Sequence, residues 1–233
     1  DSMGTRGIWL ASASKRRSIL LEELISKSEV DTFLVSIPLI EDEISPTFST
    51  LKQTVFSITK MKMQNALLEI SLGRLEQLKF NDEVSDLTNV VTIVSDTLVE
   101  DPDSFEQVFG KANDILEAAS MLKRLSGRRH KVWSSTGLII HKSLESDIVK
   151  PPEIEYGEWL GFIWTDFSTV EIEDLSETIL SELLHSNSWC GKAGGYDLDG
   201  EMSKYANVIN GEKITVLGLA SSAIENLKRF FKF

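Results

Sequence analysis

The sequence predicts an α/β fold, a mixed and twisted sheet flanked by helices in two lobes with a central cleft. Apolar, β-branched segments alternate along the chain with segments whose apolar residues recur at helical spacing. This alternation contains no internal repeat. A length of 233 residues is sufficient for one large domain or two small lobes. We therefore expect residues 1–233 to form a single domain whose two lobes border one cleft.

The composition and net charge of the chain exclude several classes of protein and of binding site. No apolar run approaches the roughly 18 residues of a membrane span, and no signal-like segment opens the chain, so we expect a cytoplasmic protein. The single cysteine, Cys190, excludes an internal disulfide and a cysteine-based zinc cluster. A net charge of −12 argues against nucleic acid and membrane as partners. A polyphosphate ligand would therefore need a local cluster of lysine and arginine.

The first half of the chain begins with a strand, a short loop and a helix. Residues 8–10 are apolar, and residues 19–25 repeat apolar side chains at helical spacing. Ser14, between them, is a good N-cap residue. A second strand is predicted at residues 32–37, and residues 47–79 indicate one long or broken helix.

The β-branched run at residues 90–94 is typical of a buried strand, and it ends in Ser95-Asp96-Thr97. The functional residues of α/β proteins commonly lie at strand ends, because such an end is rigid and opens on a crevice. A carboxylate at this position is therefore a candidate catalytic or binding group. A structural turn formed by Asp96 is the alternative.

The second half continues the alternation of strands and helices. Its predicted elements, in chain order, are a loop at 100–110, a helix capped by Asn113 or Asp114 and ended by Gly127, paired strands or one strand with a bulge over 131–141, a surface segment at 142–158, a solvent-facing strand at 162–172, a helix capped by Ser176, a glycine-rich loop at 191–196, strands near 205–209 and 214–219, and a helix at about 222–231.

The loop between the first strand and the first helix has the chemistry of a phosphate site. Small residues and a helix N-terminus present free N–H groups to an anion. Arg16 and Arg17 lie in the first turn, where cations oppose the helix dipole, and a bound anion would resolve that conflict. The alternative is a solvated pair of charges on a surface turn.

Four motifs, in one order along the chain, resemble those of the Maf family of nucleoside triphosphate pyrophosphatases. Residues 12–17 resemble the family's Ser-Ala-Ser-Pro-Arg-Arg, and residues 95–97 resemble its Ala-Asp-Thr. Residues 110–112 and 125–130 resemble its Gly-Lys-Pro and Leu-Ser-Gly-Arg-x-His. Residues 192–200 resemble its Lys-Ala-Gly-Gly-Tyr-Gly-Ile-Gln-Gly. The resemblance covers nearly the whole chain.

The resemblance implies the fold shared by Maf proteins and inosine triphosphatase. It implies a hydrolase of nucleotide metabolism that acts on phosphoric anhydrides, converting a nucleoside triphosphate to the monophosphate and pyrophosphate. The cofactor would be a divalent cation, Mg²⁺ or Mn²⁺, and the assembly a homodimer. Residues 95–97 and 192–196 are similar to the branch that acts on dTTP and UTP, and a modified nucleotide is the other candidate substrate.

The resemblance also implies roles for individual residues. Asp96 and Lys111 would be catalytic, and Asp96 and Glu43 would hold the metal ion. Asp96 as a metal ligand and Asp96 as a general base both remain open. For the lysine of the second helix, Lys62 matches best and Lys60 is a close competitor. The residues expected to bind the substrate are Ser12, Ser14, Arg16, Arg17, Glu43, Lys62, Thr97, Lys192 and Asp199.

The chain departs from the family pattern at several positions, of which Lys15, Ala112 and Asp199 are the main ones. Asp199 stands where the family has glutamine, so it adds a negative charge near the expected polyphosphate. It would then either recruit a metal ion or weaken the site. These departures motivate a second hypothesis, a regulatory protein that binds nucleotides and has lost efficient turnover. A purely structural α/β interaction domain is the third.

Overall fold

The structure, a computed structural model, describes residues 4–41, 50–80, 82–144 and 146–233, and only the backbone of residues 105–107. The strands are β1 (Arg6–Leu10), β2 (Thr32–Ser36), β3 (Val90–Asp101), β4 (Ser104–Phe109), β5 (Arg129–His141), β6 (Ile154–Tyr156), β7 (Trp159–Ile172) and β8 (Ala206–Asn210). The helices are α1 (Lys15–Ile25), α2 (Leu51–Ser71), α3 (Arg74–Gln77), α4 (Ile115–Leu125), α5 (Glu177–His185), α6 (Lys213–Leu217) and α7 (Ser221–Phe231). Among these helices, none has the length and apolar character that crossing a membrane requires.

The strands of the described residues form one mixed sheet, which confirms the predicted fold class. Its order is β2-β1-β3-β5-β7-β6, with β4 paired to β3 and β8 paired to β7. Strand β1 runs parallel to both of its neighbours, and all other pairs are antiparallel. The parallel pairs are joined by helices, as the alternating sequence pattern requires.

Helices cover both faces of the sheet because successive side chains of a strand point to opposite faces. On one face, Ile8 and Leu10 of β1 pack with residues of α1 and α7. On the other face, Trp9 packs with residues of α2. A further apolar group surrounds the far ends of β3, β5 and β7 and includes residues of α4, α5 and β8. The cleft described below lies between this group and the rest of the core.

Strand β3 is longer than the sequence predicted. It continues past residues 95–97 to Asp101, because β5 pairs with it from Thr92 to Val99 without interruption. Asp96 is therefore in the middle of a strand, and the predicted strand end at this point is wrong. The predicted loop at residues 100–110 is also wrong, since β3 turns back there into β4. The Asp103 N–H donates to the Asp101 carboxylate at 2.9 Å and closes that turn.

Strand β5 is a single strand that pairs with β3 and β7 across residues 134–137. The bulge considered there does not form. Gly137 lies in this strand because α2 packs closely on it. A Cβ atom at Gly137 would lie 2.4 Å from Met63 Cε, and one at Gly161 of β7 would lie 2.4 Å from Met63 Sδ. The glycine therefore serves helix packing and not a bend.

Some of the remaining predicted elements are confirmed, and others are wrong. Ser14, Asp114 and Ser176 accept hydrogen bonds as N-caps, which confirms those helix starts. The long apolar segment breaks at Gly73 into α2 and α3. The strand predicted near residues 214–219 is wrong, because this segment forms α6 and ends at Gly218. The strand predicted to face solvent is β7, which is mixed: residues 161–163 are buried, whereas Phe167 near its centre is exposed.

Candidate active site

A cleft opens at the N-terminus of α1, beside the middle of β3. Its remaining walls come from α2, the end of α6 and residues 191–198, called the glycine loop below. The lining residues are Ser14, Arg16, Arg17, Lys62, Asp96, Thr97, Val99, Lys111, Val132, Gly191, Lys192, Ala193, Tyr196, Asp197, Leu198, Val216, Leu217 and Gly218.

Most of the predicted site residues lie in this cleft. Ser14 lines it, and its hydroxyl accepts from the Arg17 N–H at 3.2 Å as the cap of α1. Ser12 is buried behind the loop, where its hydroxyl accepts from the Ser14 N–H at 3.2 Å and shapes the turn. Glu43 lies outside the described residues.

The two arginines of the first turn have different environments. Arg17 is 7% exposed and directs its guanidinium inward. Its Nε donates to the Gly218 carbonyl at 2.7 Å, and its Nη1 and Nη2 donate to the hydroxyls of Ser12 and Thr97, each at 3.1 Å. Gly218 permits this approach, because a Cβ there would lie 3.1 Å from Arg17 Nε. Arg17 thus ties α1 to β3 and α6 and leaves its charge beneath the cleft.

Arg17→Ala is expected to lower the free energy of unfolding by about 2 kcal/mol, since buried hydrogen-bond acceptors lose a charged donor. Arg16→Ala is the matched variant, and we expect it to change the stability by less than about 1 kcal/mol, because losing the unpartnered buried Nε offsets part of the loss of the ion pair with Asp197. Urea denaturation of both variants and the wild-type chain measures the difference. Equal losses would contradict this division of the two arginines.

Arg16 forms an ion pair that the sequence did not predict. Its Nη2 donates to Asp197 Oδ2 at 2.6 Å. Its Nε is buried and has no hydrogen-bond partner within the part of the chain that the structure describes. The one available sequence signal was the charge of Asp197, at a position where the family motif has glycine.

Asp96 faces Lys62 across the cleft. Lys62 Nζ lies 3.5 Å from Asp96 Oδ1 and donates to the Ser95 carbonyl at 3.1 Å. The other oxygen, Asp96 Oδ2, is buried and accepts no hydrogen bond from any described residue. Of the two candidate lysines, Lys62 lines the cleft and Lys60 is absent from its described lining. An ionised carboxylate with one free oxygen is suited to hold a water molecule, a proton or a cation.

The glycine loop brings two of the sequence motifs together. The Gly194 N–H donates to the Gly110 carbonyl at 3.1 Å, and Lys111 forms an antiparallel bridge with Ala193. Gly194 is required here, because its φ is 72° and a Cβ would lie 2.9 Å from Val99 Cγ2. This contact places Lys111 and Lys192 in one cleft. Burial lowers the pKa of Lys192, an effect that Asp197 opposes and Arg16 and Arg17 reinforce.

A buried hydrogen bond supports the glycine loop from below. His130 Nε2 and the Tyr196 hydroxyl are 2.6 Å apart, and the two rings meet edge to face. His130 is 3% exposed, and burial lowers its pKa from 6.5 to about 4. Burial also raises the pKa of Tyr196. Both residues occur in the family motifs, but the sequence does not show that they contact each other.

Asp199 lies beside the cleft and is not among its described lining residues. Its carboxylate is 2.5 Å from Lys213 Nζ and 3.8 Å from Arg16 Nη1. Lys213 therefore already balances the charge that was expected to repel a polyphosphate.

Hydroxyl groups on β3 and β5 form a buried polar layer behind the cleft. Ser95 Oγ lies within 3.0 Å of the Ser135 carbonyl, the Gly218 carbonyl and the Thr136 hydroxyl. The Ala220 N–H donates to the Thr136 hydroxyl at 2.8 Å. These bonds hold the end of α6 against the sheet. A run of hydroxyl residues inside an apolar strand was the sequence signal for this layer.

Comparisons with known proteins found a family model, curated relatives and a solved structure. A family model described as Maf-like protein matches residues 7–230. A dTTP/UTP pyrophosphatase of Lachnoclostridium phytofermentans is 26% identical over 96% of this chain and 94% of its own length. One of Roseobacter denitrificans is 30% identical over 58% of this chain and 62% of its own length. A solved nucleoside-triphosphatase / dITP/XTP pyrophosphatase of Mycobacterium abscessus is 14% identical, covers 71% of this chain and 74% of its own, and has a TM-score of 0.31.

Proposed function

The chain belongs to the Maf family, and on that premise we propose that it hydrolyses a nucleoside triphosphate to the monophosphate and pyrophosphate. The observation that carries the proposal is the charge of the cleft. Five cationic side chains and two carboxylates occur among the described residues that line it, although the whole chain has a net charge of −12. The names of the relatives support a pyrimidine triphosphate, dTTP or UTP, as the substrate.

The cations of the cleft support a proposal of phosphoryl chemistry. Such reactions depend mainly on positioning the phosphates and neutralising their charge. Arg16 can contact phosphate oxygens through its unpartnered Nε, while Lys111 and Lys192 supply positive charge from the glycine loop side. Apolar lining residues, among them Val99 and Leu217, offer a surface for the nucleoside.

Asp96 is the proposed catalytic carboxylate. Its free oxygen can accept the proton of a water molecule that attacks the anhydride linkage between the α- and β-phosphates. Pyrophosphate leaves as the bond to the bridging oxygen breaks, and the cationic side chains stabilise the charge that develops there.

The cleft also fits a divalent cation, Mg²⁺ or Mn²⁺. Among the described residues, no three His, Cys, Asp or Glu side chains gather into a metal site. Mg²⁺ is commonly held by one or two carboxylates together with substrate phosphates, and Asp96 Oδ2 is a buried oxygen free for that role. A bound cation would neutralise phosphate charge and lower the pKa of an attacking water. We propose Asp96 as a ligand, with Glu43 as a second; in that alternative Asp96 Oδ2 would hold the cation and would not accept the proton of water.

Pyrophosphate release from a panel of standard and modified nucleotides, with Mg²⁺ or Mn²⁺, tests the function. We expect turnover of at least one triphosphate and no turnover of the matching monophosphate. A folded protein that releases pyrophosphate from none of them would overturn the proposal. The structure does not favour the regulatory alternative, because Lys213 balances the charge of Asp199 that had motivated it.

Lys111→Ala is expected to raise the KM for the triphosphate by about tenfold, the size of one lost charge-assisted contact. The melting temperature should not change, because the side chain belongs to no apolar core group. Lys123→Ala is the matched control, since it removes the same charge from an exposed position of α4. A lowered melting temperature with unchanged kinetics would show that Lys111 has a structural role and does not bind the substrate.

We also propose that residues 1–233 act as one domain, that the protein is a homodimer, and that it is cytoplasmic. The family resemblance supports the first two points, and the single cysteine suits a reducing compartment. Light scattering of the purified chain measures its mass in solution. A monomer at all concentrations would contradict the dimer.

A further inference from the structure

Asp197 places a negative charge inside the cationic cluster of the cleft. Its side chain is 12% exposed, and it lines the cleft together with Arg16 and Lys192. One oxygen, Oδ2, accepts the hydrogen bond from Arg16, and the other accepts from the Asp199 N–H at 3.1 Å. Asp197 also acts on Lys192, whose pKa it raises against the effect of burial. The carboxylate therefore contacts Arg16 and acts electrostatically on Lys192, two groups that a phosphate would use.

The contact with Arg16 is incomplete. Asp197 receives one hydrogen bond from the guanidinium, whereas carboxylates and phosphates often receive two parallel ones. Arg16 Nε remains buried without an acceptor among the described residues, which is unfavourable for a charged donor. An entering phosphate group could satisfy Nε, but it would then compete with Asp197 for Nη2.

We propose that Asp197 is an intramolecular competitor for phosphate at Arg16, which keeps the affinity of the cleft for the pyrophosphate product low. This inference rests on the proposed function. In the empty cleft the carboxylate holds Arg16 in position. When an anion binds, the ion pair must be broken or shared, so part of the new interaction energy is offset. Product release is then faster than it would be from a cluster without this carboxylate.

Titration calorimetry with inorganic pyrophosphate, in EDTA to remove divalent cations, tests the inference. Asp197→Asn removes the charge, keeps the side-chain shape and can still accept from the Asp199 N–H. We expect it to bind pyrophosphate about tenfold more tightly than the wild-type chain, the size of one charge-assisted contact. Asp197→Ala is the second variant, and each variant is used only if its melting temperature is close to that of the wild type.

Two comparisons isolate the contact with Arg16. In the Arg16→Ala background, Asp197→Asn should change the pyrophosphate affinity by less than about threefold, because the guanidinium for which Asp197 and the phosphate compete is absent. Glu201→Gln is the matched control: it removes one negative charge from an exposed neighbouring residue that pairs with Lys204. It should leave the affinity unchanged.

The outcomes separate this inference from the proposed function. Equal pyrophosphate affinity in the wild-type chain and Asp197→Asn would overturn the inference and leave the function intact. Weaker binding by Asp197→Asn would also overturn it, since Asp197 would then assist the ligand. If none of the proteins binds pyrophosphate, the inference fails, and the pyrophosphate-release assay decides the function independently.

Discussion

Asp96→Asn is expected to reduce turnover by roughly 10²- to 10⁴-fold, the range for losing a general base. The amide keeps the shape of the side chain, but it can neither accept the proton of water nor balance Lys62 at 3.5 Å. The fold should be preserved, because Asp96 Oδ2 has no hydrogen bond to another described residue that the substitution could remove. Substrate binding should change less than turnover.

Steady-state kinetics and the melting temperature of the variant check this result. Asp103→Asn is a suitable control, because Asp103 is exposed, pairs with Arg128 and lies at the β3–β4 turn outside the cleft. It removes the same charge and should keep wild-type turnover. Near-normal turnover in a folded Asp96→Asn protein would remove Asp96 from the mechanism.

His130 is expected to make the protein less stable as the pH falls from 6.5 to about 4. Burial lowers the pKa of the folded-state imidazole to about 4, whereas the unfolded chain binds this proton near pH 6.5. Between these values the unfolded state is protonated and the folded state is not, so protons favour unfolding. The full effect is about 3 kcal/mol, at 1.36 kcal/mol for each pKa unit.

Urea denaturation at several pH values measures this loss, with His130→Gln and His185→Gln as a matched pair. His185 is exposed at the end of α5, so the pair compares a buried histidine with an exposed one. His130→Gln should flatten the curve between pH 6.5 and 4, even if it lowers the stability at neutral pH. An unchanged slope would show that the buried imidazole is not the group responsible.

Local patterns in the sequence were sufficient to predict the elements whose formation depends on caps, apolar spacing or β-branched runs. Helix α1 follows from its cap at Ser14 and its apolar spacing, and α7 follows from its apolar face. The β-branched run of β3 predicted a buried strand, and the alternation of elements predicted a mixed sheet. Family motifs indicated Asp96, Lys111 and Lys192, which the fold brings into one cleft.

Predictions failed where strand pairing or close packing decided the structure. Residues 134–136 are polar and read as a bulge, but their hydroxyls bond inside the sheet while Gly137 admits Met63. The apolar residues of α6 fit a strand equally well in isolation. No strand among the described residues pairs with them, and they instead form the short helix that ends against Arg17.

The sequence alone determined that the chain contains a basic loop, a buried strand and a glycine-rich loop, because residue type and local spacing encode those features. Only the tertiary structure decided how neighbouring residues divide their roles. Arg16 and Arg17 are adjacent and chemically identical, yet one faces a carboxylate in the cleft and the other bonds buried oxygens. Their partners, Asp197 and Gly218, lie about two hundred residues away along the chain, and no local pattern records which distant groups the sheet brings together.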